Sequence, residues 1–454
     1  MKRLIVSCAA VVGSIALALG SGLSASAITA TFEITYTTPD AGTAGGLVPS
    51  ASPYGIVAGS GNYAWVVNLD PQTVSTLDIS NPLAPVVVAT TPDPDQPGGL
   101  PSGGFPTEIF KSGDYLFAVL NNIASVKVID VSTPTSPTVV ASTPDPGSAG
   151  GFASGSGPIN AVMNGNYIYV VNVGNSSVSV VDISNPLAPV VLGSTPDAGT
   201  AGGLPASSSS WGIARSGNNL FVTSGGASKL YAVDVSNPSA PVVVGSTPDA
   251  DTAGGLIGGS NLRDVVIKGS HAYIADYNNN VVYSVDISDP TSPTVVGQTP
   301  APGLEGSLDG GASPHGMIVV DDTLVVTRDG DVRVSLIDIR DPAAPMVYQT
   351  TAASGSTGGL PSGAVPQRLY LIGNAIYISN YAHNSISVIS LASVRDLTAE
   401  MFPVELSEGG TDSGTLANTG TDVVPMFLVA AGLLLLGFAA LSGGMTVART
   451  RTRR

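Results

Sequence analysis

The chain has 454 residues, with 33 Asp and Glu against 17 Lys and Arg, and a net charge of −16 at pH 7. That balance argues against nucleic acid and anionic lipid as partners, because phosphate binding needs basic surface. A single cysteine excludes a disulfide framework and a thiolate metal site. At the start, Met1, Lys2 and Arg3 precede an apolar run from Leu4 through Ile15 to Leu19, and small residues close on Ala25, Ser26 and Ala27. This pattern predicts a secretory signal peptide over 1–27, cut after Ala27; a membrane anchor fits less well because the apolar run is short. Cys8 lies too early to be a lipidated cysteine and leaves with the signal.

From residue 28 to 399 the chain is a repeat. Thr-Pro-Asp followed by a Gly-rich run begins at Thr38, Thr91, Thr143, Thr195 and Thr247, with degenerate copies from Thr299 and Thr351. Seven copies about 52 residues apart predict an all-β, seven-bladed β-propeller with four strands to a blade. In the third copy, Ile159 to Met163, Tyr167 to Val173, Ser177 to Ile183 and Pro189 to Ser194 read as strands a to d, separated by Gly, Asn and Pro turns. Proline suits the outermost strand, whose free side has no ladder bond to lose. The last copy lacks an edge strand, so Phe32 to Thr37 is expected to complete blade seven and close the ring. The alternative is a fourth strand from Leu397 to Val404.

The segment Val181-Asp182-Ile183-Ser184-Asn185-Pro186-Leu187-Ala188-Pro189 and its counterparts around Asp78, Asp130, Asp234, Asp286 and Asp338 resemble the LVIVD repeat family of surface β-propellers. The resemblance implies a fold more than an activity. The repeated aspartate invites a metal-ligand reading, but its place before a Ser-Asn-Pro turn fits a side-chain-to-backbone turn bond better.

Positions that repeat serve the blade, so those that vary between copies are the candidates for function. Opening strand a are Tyr54, Thr107, Ile159, Trp211, Arg263, His315 and Gln367, each followed by Gly55, Glu108, Asn160, Gly212, Asp264, Gly316 and Arg368 respectively. Both sets are expected to ring one mouth of the central channel, with the b-to-c hairpins of Asn68, Asn172, Asp276, Arg328, Asp329 and Asn380 on the same face. The binding candidates are therefore Tyr54, Thr107, Glu108, Trp211, Arg263, Asp264, His315, Gln367 and Arg368, with an unknown protein or glycan as partner. Neutral drift of a loop surface is the competing explanation. Catalysis has little support: His271, His315 and His383 fall at different repeat phases, and no nucleophile elbow, phosphate loop or metal motif is present. No cofactor and no metal are expected. An acid/base pair of Glu108 and Asp264 in the channel, as in a glycan hydrolase or lactonase, with Arg263 or Arg368 holding an anionic substrate, is the alternative to a noncatalytic display module. A purely structural coat protein is the third reading.

After a linker over 400–415 come Leu416, Ala417, Asn418, Thr419 and Gly420, then an apolar stretch from Val423 to Val447 and four arginines at 449, 451, 453 and 454. These parts in this order resemble a sortase sorting signal, in the LAxTG variant of LPxTG associated with class E sortases of high-GC Gram-positive bacteria. The resemblance implies attack at the Thr419 carbonyl, release of Gly420 onward, and transfer to peptidoglycan. Independently of it, residues 421–454 suffice for one transmembrane helix with a basic cytoplasmic tail, so a plain membrane anchor stays open. Either way the repeat domain is expected outside the cell, joined to wall or membrane.

Overall fold

The computed structural model describes residues 31–59 and 61–401. The signal peptide, the sorting pentapeptide and the C-terminal apolar stretch all lie outside them. Among the described residues, no helix is long and apolar enough to cross a membrane.

Each repeat folds as expected from its alternation of β-branched runs and turn residues. In blade three the strands are Pro158–Asn164, Tyr167–Asn172, Ser177–Asp182 and Val190–Ser194, paired antiparallel in that order. The edge strand begins one residue later than the sequence suggested, because Pro189 has no N–H to give the ladder. Seven such sheets form the propeller, and the first strands of adjacent blades touch all the way round, which puts strand a innermost.

The seventh sheet is assembled from both ends of the described chain. Tyr36–Thr37 pairs with Ser385–Ser390, so the N-terminal segment supplies the missing edge strand. Among the described residues, the alternative strand starting at Leu397 does not form: Leu391–Met401 is a helix, with Leu391, Val394 and Leu397 buried against the blade-six and blade-seven core.

The repeated Thr of Thr-Pro-Asp is a structural tie. Its hydroxyl accepts the N–H of the second residue of strand c in all seven blades: Val74 to Thr91, Val126 to Thr143, Val178 to Thr195, Leu230 to Thr247, Val282 to Thr299, Val334 to Thr351, and Ile386 to Thr38, at 3.0–3.2 Å. In blade seven the tie is made by the N-terminal Thr38, across the closure. The repeated aspartate also does local work. Asp182 Oδ1 accepts the Ser184 N–H at 2.7 Å, and Asp78, Asp130, Asp234, Asp286 and Asp338 accept equivalent bonds.

Because Val178 is fully buried, an N–H left without its acceptor there has no water to turn to. Thr195→Val should lower the unfolding free energy by about 1–3 kcal/mol, and Thr195→Ser by clearly less, as read from urea midpoints.

Candidate functional site

Strand a opens with a β-bulge in six of the seven blades. In blade five Leu262 faces Asp276 and Asp264 faces Ala275, leaving Arg263 as the extra residue. The same irregularity falls at Pro53/Ile56, Pro106/Glu108, Pro158/Asn160, Pro314/Met317 and Pro366/Leu369. A bulge breaks the strict alternation of side chains, and two successive residues can then address the channel. They do so at different depths.

The first residue of each pair lines an upper chamber of about 320 Å3, to which all seven blades contribute: Tyr54, Thr107, Ile159, Trp211, Arg263, His315 and Gln367. Leu69, Asp329 and Tyr381 from the b-to-c hairpins, with Val365, complete its wall. The Arg263 guanidinium is sandwiched between the rings of Trp211 and Tyr277, at 4.7 and 4.9 Å. Burial raises the Asp329 carboxyl pKa, and the Arg263 charge with hydrogen bonds from Tyr277 and Gln367 opposes that rise. His315 donates Nδ1–H to the Gln367 carbonyl at 3.1 Å. Burial, then the Arg368 and Arg263 charges, depress its pKa to about 3, so it is a neutral imidazole.

The second residue of each pair sits deeper, and here the expectation of a single mouth is corrected. Glu108, Asp264 and Arg368 line a separate lower chamber of about 520 Å3, which opens along the later half of strand a. Each charged residue follows a glycine in the preceding blade. A Cβ at Gly55 would stand 3.0 Å from Glu108 Oε1, one at Gly212 would stand 3.0 Å from the Asp264 carbonyl carbon, and one at Gly316 would stand 3.2 Å from the Arg368 Cα. The missing side chains therefore let strand a of the next blade come close where it carries these charges.

All three charges are more than nine-tenths buried. Asp264 accepts the Val265 and Met317 N–H groups at 2.9 Å and a long bond from Arg368 Nη1 at 3.4 Å. Its pKa is raised by burial, against the pull of Arg368. Glu108 Oε1 accepts from the Ile109 N–H and the Tyr370 hydroxyl at 3.3 and 3.2 Å. Burial nevertheless lifts its pKa to about 7, with Arg368 the main opposing influence. Asn160 is satisfied internally, donating to the Trp211 carbonyl at 2.8 Å and accepting from Ala161 N–H.

The b-to-c hairpin residues divide as well. Asp329 reaches the upper chamber, but Asn68, Asn172 and Asn380 are buried and tie strand b to serines and a threonine of strand c. Asp276 replaces that asparagine with hydrogen bonds from Ser260, Asn279 and Tyr283, and Arg328 with ion pairs to Asp309 and Asp331 and a bond to Ser335. Tyr370 and Arg215 were missed in the sequence. Comparing copies would have flagged them: Tyr370 is the polar exception among Val57, Phe110, Val162, Ala214, Val266 and Ile318, and Arg215 shares its position only with Lys111 as a charge. Among the described residues, no group of three or more His, Cys, Asp or Glu side chains is placed to hold a metal ion.

The LVIVD repeat matches residues 56–91, 103–144, 160–196, 208–249 and 259–299. The chain thus carries LVIVD repeats in a seven-bladed propeller. No curated protein sequence matches it. Similar solved structures include virginiamycin B lyase from Staphylococcus aureus, at 13% identity and a TM-score of 0.52 over 75% of this chain and 96% of that one. Kuenenia stuttgartiensis hydrazine synthase matches at 17% identity and a TM-score of 0.53, over 76% and 96%. A protein from Lactobacillus plantarum matches at 11% and 0.52, over 68% and 86%. At such identities the likeness is one of fold.

Glu108 is protonated more readily in the folded than in the unfolded chain, so folding takes up a proton between the ordinary carboxyl range and pH 7, and stability falls as pH rises through that window. Glu108→Gln should therefore stabilise the protein by roughly 2–4 kcal/mol at pH 8 and have little effect at pH 4, as measured by denaturant unfolding at both pH values.

Proposed function

We propose that the chain is a noncatalytic display module, exported and held at the cell surface, that binds a glycan end or a protruding protein segment in the upper chamber. The observation that carries this reading is the convergence of seven non-repeating residues from one repeat position on a single concavity. Its chemistry suits such a ligand. Tyr54, Trp211 and Tyr381 offer apolar ring faces, and Arg263, His315, Gln367 and Asp329 offer hydrogen bonds within the same small volume. The Trp211–Arg263 stack holds the guanidinium in one orientation, which lowers the ordering cost of binding.

A second reading, a hydrolase with Glu108 and Asp264 as acid and base, is favoured by one observation, the near-neutral pKa of Glu108. Both oxygens of Asp264 are already engaged by backbone N–H groups, which suits a fixed charge better than a base. The two readings separate in a screen of envelope glycans and proteins against the chain. Trp211→Ala with Arg263→Ala should cut binding at least tenfold and leave the melting midpoint within about 2–4 °C, a shift worth roughly 1 kcal/mol in a domain of this size. Release of product from a bound glycan, lost in Glu108→Gln, would favour the hydrolase.

Surface attachment rests on the residues from 416 onward, through a sortase acting at Thr419 and a peptidoglycan acceptor. Thr419→Ala should move the protein from the wall fraction to the detergent-extractable membrane fraction. Full detergent extraction of the unaltered protein would support the plain anchor instead.

A further inference from the structure

The lower chamber is a second site with its own chemistry. Arg368 is nine-tenths buried at its floor, yet among the described residues its only side-chain hydrogen bond is the 3.4 Å contact to Asp264. Its Nε is buried without a partner among the described residues, and the guanidinium otherwise rests on the Tyr54 ring at 5.5 Å. A guanidinium with five donors and one long bond is under-satisfied, which is costly at this depth. A second arginine, Arg215, lines the same chamber and also has an unpartnered Nε. Between them the walls are apolar, with Phe110, Met163, Ile213 and Ile267.

The charges add up in favour of an anion. Asp264 is spent on Arg368 and two backbone N–H groups. Glu108 is the remaining acid, and the buried floor favours its neutral form, which is a donor. We propose that the lower chamber binds an amphipathic monocarboxylate, its carboxylate held between Arg368 and Glu108 and its apolar body lying along Phe110, Met163, Ile213 and Ile267. Arg368 supplies the charge-assisted bond, and Glu108 supplies a proton that the two carboxyl groups share. This site is independent of the upper chamber and of any reading given to it.

Proton sharing makes the affinity depend on pH. The groups acting on Glu108 are Arg368 and Tyr370 of blade seven and Asp264 of blade five, with the Ile109 N–H from its own strand. Asn160 and the Arg215 guanidinium line the same chamber, the Tyr54 ring lies against Arg368, and Gly55 adds no side chain. Above pH 7 Glu108 ionises, two like charges then face each other, and binding weakens.

The test uses the full chain and 4-phenylbutyrate, with 4-phenylbutanol and 4-phenylbutylamine as matched probes, in titration calorimetry at pH 6 and pH 8. The acid, whose own carboxyl is ionised throughout this range, should bind at pH 6 and roughly tenfold more weakly at pH 8. The alcohol and amine should bind at least tenfold more weakly than the acid at pH 6. Glu108→Gln should keep acid binding and flatten its pH dependence, and Arg368→Met should abolish it. If Arg368→Met does not fold, Arg368→Met with Asp264→Asn removes both charges together and should abolish acid binding in its place. Equal binding of acid and alcohol, preference for the amine, no binding of the acid, or an unchanged pH dependence in Glu108→Gln would each overturn the proposal.

Discussion

Every blade of this protein is apolar on both faces, and that fact governs the rest. The hydrophobic core is not one body but seven clusters, each filled by two neighbours: Trp65 and Val67 of blade one pack with Ile109 and Leu116 of blade two, and so on round to Tyr377 and Ile386 of blade seven against Ile56 and Leu77 of blade one. A blade with one neighbour would leave a full sheet face in water, at a cost of about 25 cal/mol per Å2 of apolar surface. The ring must therefore close. The chain closes it by placing Phe32, Tyr36 and Thr38 from its N-terminal side on blade seven, one in the core, one in the ladder and one in the Thr tie.

Closure also explains why the channel can be irregular. Once the fold rests on the interfaces between blades and on ties such as Thr195 to Val178, most residues that open strand a stand outside the interblade clusters, Tyr54 and Ile159 excepted. The second of these positions tolerates Gly55, Asn160, Gly212 and Gly316 beside Glu108, Asp264 and Arg368 within one scaffold. Glycine there is not conformational licence, since none of the three has a positive φ. It is space, taken up chiefly by the strand a backbone of the next blade and, at Gly55, also by the Glu108 carboxylate.

The architecture was legible because the repeat is written in residues with local physical roles. Thr-Pro-Asp, the Ser-Asn-Pro turn and the β-branched strands recur at one spacing, and each has a partner within its own blade. The channel was legible in part, because comparing copies finds the positions that vary. It does not say how deep each side chain reaches. Arg263 and Asp264 are adjacent in sequence, and only the bulge after Leu262 sends one to the upper chamber and the other to the lower. Tyr370, three residues beyond Gln367, depends on the same offset to meet Glu108 from blade seven.

The buried trio of Glu108, Asp264 and Arg368 is best understood against the blades that lack it. Burying a charge costs several kcal/mol, and even a well-made ion pair seldom recovers the whole of it. Here the pairing is poor: Arg368 meets Asp264 at 3.4 Å, and Glu108 reaches no arginine by hydrogen bond. Four other blades fill the same position with glycine or with a self-satisfied Asn160, so the fold has cheaper solutions at this position and uses them more often. Stability alone would favour neutral residues at all seven. The trio instead gathers three buried charges on the wall of one chamber, where the desolvation of each is only partly offset by the others.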